Sequence, residues 1–168
     1  MLEQDNAEHV AALQNAVNAS LSELPKEEQL EIISKQADKP GAKTHLYYPA
    51  MAYTGSADAL NQLVEDYKST SISAEQKRAA FEALSTWKSF DVIYPLLDIA
   101  RDSKTNKEKS DAIDAIVSTV SKSDETQEVK YLFLREALEM SDNDQQKRKI
   151  IDMIGKTNMY QALLLLES

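Results

Sequence analysis

Apolar residues recur along most of this chain at the spacing of an amphipathic α-helix. Leu60, Leu63, Val64 and Tyr67 fall at positions i, i+3, i+4 and i+7, which places them along one helix face. No stretch shows the strict apolar–polar alternation of a half-buried strand. Similar stripes predict about ten short helices, and residues 37 to 44 form the most evident loop between them.

Short polar residues and prolines predict where helices begin and change. Ser73 and Gln76 have the spacing of a capping box, in which each side chain bonds the other residue's backbone N–H. Ser141 or Asp142 is predicted to cap a later helix. Pro95 lies inside a predicted helix, where its missing N–H should produce a bend or a loosened turn.

One local pattern repeats: a turn, a Ser or Thr, and an amphipathic helix that begins on that residue. Ser56 and Ser89 are 33 residues apart, and Ser89 and Thr157 are 68 apart, close to two more periods. Gly55 and Gly155 are predicted to end the helices before two of these turns. Repeats near this length without strands are typical of helical solenoids. We therefore predict an all-α fold, a right-handed α-α superhelix of about ten short antiparallel helices.

The length predicts one domain. A chain of 168 residues suits one full-sized domain and is short for two. We predict a single repeat domain over residues 1–168, with an N-terminal helical hairpin in 1–40 and repeats in 44–166. Four adjacent leucines at 163–166 cannot all face inward on one helix, so part of that surface should meet a neighbour.

Charge and cysteine content exclude several functions. The net charge of −9 argues against a nucleic-acid partner, because phosphate contacts need clustered Lys and Arg. The absence of cysteine excludes disulfides and thiolate catalysis. No apolar run approaches the roughly 20 residues of a membrane span, so no membrane insertion is expected. The first residues lack the basic start and apolar stretch of a secretory signal.

The residue inventory gives little support to catalysis. The two histidines, His9 and His45, are far apart and no His-Glu dipeptide occurs, so no metal site is predicted. Carboxylate pairs such as Asp111 with Asp114 are better explained as caps or solvated helix faces. No catalytic residue and no cofactor is assigned, and we expect the chain not to be an enzyme.

Aromatic residues near two turns give the best candidates for an interaction surface. Tyrosines at positions 47, 53, 94, 131 and 160 could stack on sugar rings or hold a peptide, although such residues more often pack between helices. His45 lies beside two tyrosines and the 37–44 loop, and no other segment of the sequence combines a histidine, tyrosines and a loop in this way. The predicted interaction surface consists of His45, Tyr47, Tyr48, Trp87 and Phe90.

Three sets of segments carry a family resemblance. They are ALSTWK at 83–88 followed by IYPLL at 93–97, REALE at 135–139 followed by residues 146–155 and 162–163, and YYPAMA at 47–52 with TGS at 54–56. These segments resemble the HEAT-like repeat region of large exported proteins from Bacteroides-type bacteria. The resemblance covers roughly residues 25 to 166 and its motifs are structural.

The resemblance implies a setting and a function. In such proteins the repeats commonly precede a β-sandwich domain of the 3-keto-disaccharide hydrolase type, which lies outside this chain, so no catalytic residue carries over. The implied location is periplasmic or cell-envelope, and the implied partner is a protein or a neighbouring domain of the same polypeptide, through which carbohydrate could be reached. The expected function is a non-catalytic scaffold or protein-interaction module. The alternatives are a carbohydrate-binding or hydrolase-associated module that contacts sugar directly, and a purely structural spacer.

Overall fold

The computed structural model describes residues 19–20, 23–37 and 43–157, and these residues form helices and turns without any strand. Two 3₁₀ turns, Thr44–Tyr47 and Phe90–Val92, each lead directly into an α-helix. The eight α-helices are α1 Lys26–Ala37, α2 Tyr48–Thr54, α3 Ala57–Lys68, α4 Ala74–Ser85, α5 Ile93–Asp102, α6 Asn106–Lys122, α7 Gln127–Met140 and α8 Asp144–Gly155. The predicted all-α class is thus confirmed for these residues.

Other predictions about the fold stay predictions. The superhelical arrangement and the count of about ten helices are not established by the eight helices of the described residues. His9, the leucines at 163–166 and most of the first helix of the predicted 1–40 hairpin lie outside the described residues.

The chain divides into two compact units, Met1–Lys88 and Ser89–Ser168. The first unit contains α1 to α4 and the second contains α5 to α8. Within each unit, helices that follow one another in the sequence pack together, and α2 with α4, α5 with α7 and α6 with α8 also contact each other. The sequence predicted one domain with its internal boundary near residues 40 to 44, and it marked Ser89 as the start of a repeat rather than of a compact unit.

The helix ends of the first unit are built from local hydrogen bonds that the sequence predicted. Gly55 ends α2 with a φ of 61°, in the left-handed region that glycine adopts without strain. The Ser56 hydroxyl then accepts a bond of 3.2 Å from the N–H of Ala59. The capping box before α4 is confirmed: Gln76 N–H donates to the Ser73 hydroxyl at 3.2 Å, and Ser73 N–H donates to Gln76 Oε1 at 2.9 Å.

Pro95 lies at the start of a helix and not in its interior, where the prediction of a bend or a loosened turn had placed it. Residues Phe90–Val92 form a 3₁₀ turn and α5 begins only at Ile93. Pro95 therefore lies in the first turn of α5, where backbone N–H groups have no intrahelical acceptor and a missing N–H costs no hydrogen bond. The predicted helix start at Ser89 was too early because a 3₁₀ turn has nearly the same apolar spacing as an α-helix.

Fully buried aliphatic side chains form the core of the second unit. They come from all four of its helices, so each helix contributes an apolar face: Ile93, Leu96, Ile113, Ile116, Leu134, Ile150 and Ile154. Burying each such side chain stabilises the fold by about 1.5–3 kcal/mol before conformational entropy is subtracted.

A buried hydrogen-bond network links α6 to the start of α8. The side-chain amide of Gln146 donates to the Ser110 carbonyl oxygen at 2.9 Å, and its Oε1 accepts from the Ser141 hydroxyl at 2.9 Å. Asn143 caps α8, since its Oδ1 accepts from the N–H of Gln145 and of Gln146. The predicted cap at Ser141 or Asp142 is therefore wrong, because the Ser141 hydroxyl is committed to Gln146 in the interior.

Candidate functional site

The candidate residues around the first 3₁₀ turn are only partly accessible. His45 and Tyr47 belong to this turn and are half-buried. The Nε2 atom of His45 lies 3.7 Å from Glu75 Oε1, and Glu75 is in the first turn of α4. This contact places the imidazole beside α4, so His45 faces a neighbouring helix of the first unit.

Tyr48 and Trp87 are not surface residues, which corrects their place in the predicted interaction surface. Tyr48 is 1% exposed and Trp87 is 5% exposed, so neither side chain is accessible to a partner. Tyr48 begins α2 beneath the other helices of the first unit, and Trp87 follows the end of α4. Both aromatic rings have the packing role that the sequence left open as the alternative.

The phenol of Tyr48 is held in its neutral form. Burial raises its pKa, and a hydrogen bond to the Asp66 carboxylate with the nearby negative charge raises it further. A tyrosine that stays protonated in the folded state has no role here as a base or nucleophile at neutral pH. Its hydroxyl instead gives the Asp66 carboxylate a partner beside the core.

The raised pKa of Tyr48 predicts a loss of stability at alkaline pH. Below pH 10 the phenol is neutral in both states, so its contribution is fully present; above pH 10 the unfolded chain releases this proton and the folded chain retains it. Stability should then fall by about 1.4 kcal/mol per pH unit through this group. Urea unfolding between pH 8 and pH 11 would measure it, and Tyr48→Phe should flatten the slope. An unchanged slope in the variant would contradict this role.

Phe90 lines a groove in the second unit, and every residue that lines this groove belongs to that unit. Its volume is about 610 Å³. Residues from the 3₁₀ turn and α5 form one side, and residues before and within α7 form the other. They are Phe90, Tyr94, Leu97, Asp98, Arg101, Glu125, Val129, Leu132, Phe133 and Glu136.

The lining residues follow a single helical spacing on both sides of the groove. On the α5 side, positions 90, 94, 97 and 101 advance by four, three and four residues. On the α7 side, positions 125, 129, 132 and 136 advance in the same way. Within each helix this spacing keeps three lining side chains on one face: Tyr94, Leu97 and Arg101 on α5, and Val129, Leu132 and Glu136 on α7. Phe90 and Glu125 extend the lining just before the two helices.

Three aromatic rings form the apolar floor of the groove. The ring centroids of Phe90 and Phe133 are 5.2 Å apart with an interplanar angle of 79°, and those of Tyr94 and Phe133 are 5.8 Å apart at 78°. These edge-to-face contacts hold the rings in fixed orientations. Tyr94 is nevertheless 64% exposed and Leu132 is 53% exposed, so the floor offers accessible apolar surface.

A charged cluster borders the aromatic floor. The guanidinium of Arg101 pairs with the Glu136 carboxylate across the groove and lies 3.6 Å from Asp98 Oδ1 along α5. Glu125 adds a carboxylate at the start of the α7 side. Three carboxylates and one guanidinium give the groove a net charge of −2, and the single cation is already paired with two of the acids.

The remaining described residues add no reactive cluster. In residues 19–20, 23–37 and 43–157, no group of three or more His, Cys, Asp or Glu side chains is arranged to hold a metal ion. No helix within that part of the chain is both long and apolar enough to cross a bilayer. The chemistry that the groove offers is recognition through apolar contact and charge.

The fold and the groove define an all-helical protein with an amphipathic surface groove. No family model, curated protein or solved structure matches the chain.

The sequence pointed to two groove residues and missed the site as a whole. Phe90 was predicted as a surface residue and Tyr94 was considered for stacking, whereas Leu132, Arg101 and Glu136 were overlooked. The sequence did contain a signal for a second apolar surface. α5 carries apolar residues on two faces, whereas a helix that packs against one core needs only one apolar face. The pairing of α5 with α7 could not be seen, since the Arg101–Glu136 contact joins residues 35 positions apart.

Proposed function

We propose that this chain is a non-catalytic helical module that binds a partner protein through the groove formed by α5 and α7. The observation that carries the proposal is the juxtaposition of accessible aromatic and aliphatic side chains with a paired charge cluster. In the described residues four large apolar side chains are exposed. Two of them, Tyr94 and Leu132, lie together in this groove.

The composition of the groove supports binding rather than chance exposure. Single exposed apolar residues are common on protein surfaces and need no explanation. Exposed apolar residues that are grouped around aromatic rings and an arginine have the composition found at the centre of protein–protein interfaces, where Tyr and Arg are enriched. The edge-to-face rings also fix the shape of the floor in advance, which lowers the entropy cost of binding.

Partner capture with matched variants tests the proposal. The double variant Tyr94→Ala with Leu132→Ser removes the accessible apolar surface and should lose a partner that the natural chain captures from cell-envelope extract. The control is Ile32→Ser with Tyr53→Ala, which removes the two large apolar side chains that are exposed among the described residues of the first unit. We expect the control to retain the partner. Equal capture by both variants would contradict the groove assignment, and sugar hydrolysis by the module alone would contradict its non-catalytic nature.

The setting of the module is a second part of the proposal and rests on the sequence resemblance. We propose that the module works in the periplasm or cell envelope, beside a carbohydrate-processing domain. Fractionation of native cells with an antibody against the chain tests this, with a cytoplasmic and an outer-envelope marker protein as references. Recovery with the cytoplasmic marker would contradict it.

Direct contact with sugar is the alternative function, and one observation favours it. The exposed ring of Tyr94 lies in the same groove as Asp98 and Glu136, and an aromatic face beside planar polar groups suits a sugar ring. Calorimetric titration with oligosaccharides distinguishes this alternative. Binding that Tyr94→Ala abolishes would favour it, and no heat of binding at millimolar sugar would favour a protein partner.

A further inference from the structure

We infer that the groove binds an amphipathic helix whose apolar face is flanked by Lys or Arg. The inference rests on the proposed function, since it assumes that the groove is a binding surface. It adds the conformation and the charge of the segment that the groove accepts.

The shape of the groove fits a helix. Its two sides are helix faces with matching three-and-four spacings, and side chains at such positions form ridges and holes that receive the side chains of another helix. The ten residues of α5 span about 15 Å. A partner helix of about three turns would cover that length with anchors at i, i+3, i+4 and i+7.

An extended peptide would find few backbone hydrogen-bonding partners in this groove. Binding as an added strand requires a sheet edge with unpaired backbone N–H and C=O groups. The described residues contain no strand, and the backbone groups of α5 and α7 are used within those helices. A helical segment satisfies its own backbone groups and needs only side-chain contacts.

The apolar side chains of the partner helix would contact a defined part of the groove. Leu132 on α7 and Tyr94 on α5 provide accessible surface, and Phe133 on α7 contacts the Tyr94 ring. Leu97, which is buried, and Val129, which is half-buried, line the groove on the same two helix faces. Leucine-sized side chains at helical spacing would cover Tyr94 and Leu132 and exclude water from the rings.

The charges select a basic segment. Arg101 is already paired with Asp98 and Glu136, so an acidic segment would meet three carboxylates with no uncommitted cation among the lining residues. A Lys or Arg on the partner could contact Glu125 or share the carboxylates of the Arg101 cluster. The net charge of −9 on the chain acts in the same direction by attracting cationic partners.

Three synthetic peptides test the inference with the full chain. The first is a fluorescently labelled helix of about 14 residues with Leu at i, i+3, i+4 and i+7 and Lys elsewhere. The second replaces every Lys by Glu, and the third keeps the first composition in an order with no apolar face. Fluorescence anisotropy gives the dissociation constants. We expect the first peptide to bind about tenfold or more tightly than either of the others, with affinity falling as salt rises.

The groove variants connect that binding to its site. Tyr94→Ala with Leu132→Ser should weaken binding of the first peptide about tenfold, whereas Ile32→Ser with Tyr53→Ala should leave it unchanged. Glu125→Lys should narrow the preference for the Lys peptide over the Glu peptide. Far-UV circular dichroism checks that each variant is folded, and the exposure of the substituted side chains makes that the expected result.

The outcomes separate this inference from the proposed function. Equal affinity for the Lys and Glu peptides, or binding that the groove variant leaves intact, would overturn the inference. If the groove variant also loses its natural partner in the capture experiment, the binding function stands and only the nature of the bound segment is wrong. If neither peptide binding nor partner capture depends on the groove, both proposals fail.

Discussion

Replacing Leu96 by alanine should lower the free energy of unfolding by about 2–5 kcal/mol, the range for a fully buried leucine in a well-packed core. Leu96 lies on α5 with no solvent exposure, so the substitution removes three heavy atoms and leaves a cavity that the neighbouring helices fill only in part. Urea unfolding followed by far-UV circular dichroism gives the difference between the natural chain and the variant.

Leu132→Ala provides the matched control, because it is the same substitution on α7, the helix that forms the other side of the groove. Leu132 is largely exposed on α7, so its removal should change the unfolding free energy by no more than about 0.5 kcal/mol. Equal destabilisation by the two variants would mean that Leu132 is part of the core, and the accessible floor of the groove would then be wrongly assigned.

Gln146→Ala should destabilise the protein by about 2–4 kcal/mol, although glutamine usually lies on the surface. Gln146 is buried, and its amide bonds the Ser110 carbonyl oxygen at 2.9 Å and accepts from the Ser141 hydroxyl. Truncation leaves both groups without this partner in the interior, where an unsatisfied polar group is costly. Thermal and urea unfolding would measure the loss.

The neighbouring glutamine gives a control for the helix itself. Gln145 is exposed on the first turn of α8 and bonds the Asn143 cap only through its backbone N–H. Gln145→Ala should therefore be nearly neutral, since alanine also has the higher helix propensity. A loss in Gln145→Ala as large as that in Gln146→Ala would attribute the effect to the helix start and contradict the network.

These two predictions distinguish the residues that stabilise the second unit from the exposed residues that are available to bind a partner. On α5 the core side chains Ile93, Leu96 and Ala100 are buried, while Tyr94 and Arg101 are exposed to the groove. Core substitutions should cost stability in every assay. Substitutions of the exposed pair should alter binding while the helices remain intact.

Features that depend on neighbours a few residues apart could be predicted from the sequence. The helical class follows from the spacing of apolar residues, and the capping box of Ser73 with Gln76 needs only two groups three positions apart. Gly55 likewise ends α2 where a residue with positive φ is required. Where two local structures compete, as a 3₁₀ turn and an α-helix do before Pro95, the sequence placed the boundary wrongly.

Whether an aromatic or polar side chain faces another helix or solvent depends on how distant helices pack, which the sequence pattern does not show. Tyr48 and Trp87 follow or precede turns and could lie inside or outside on sequence grounds, and packing buries both. Gln146 and Ser110 are 36 residues apart, and the groove likewise exists only because α5 and α7 are brought together. Local propensity carries no information about such pairs, because their energy comes from burial and hydrogen bonds that form only when distant helices meet.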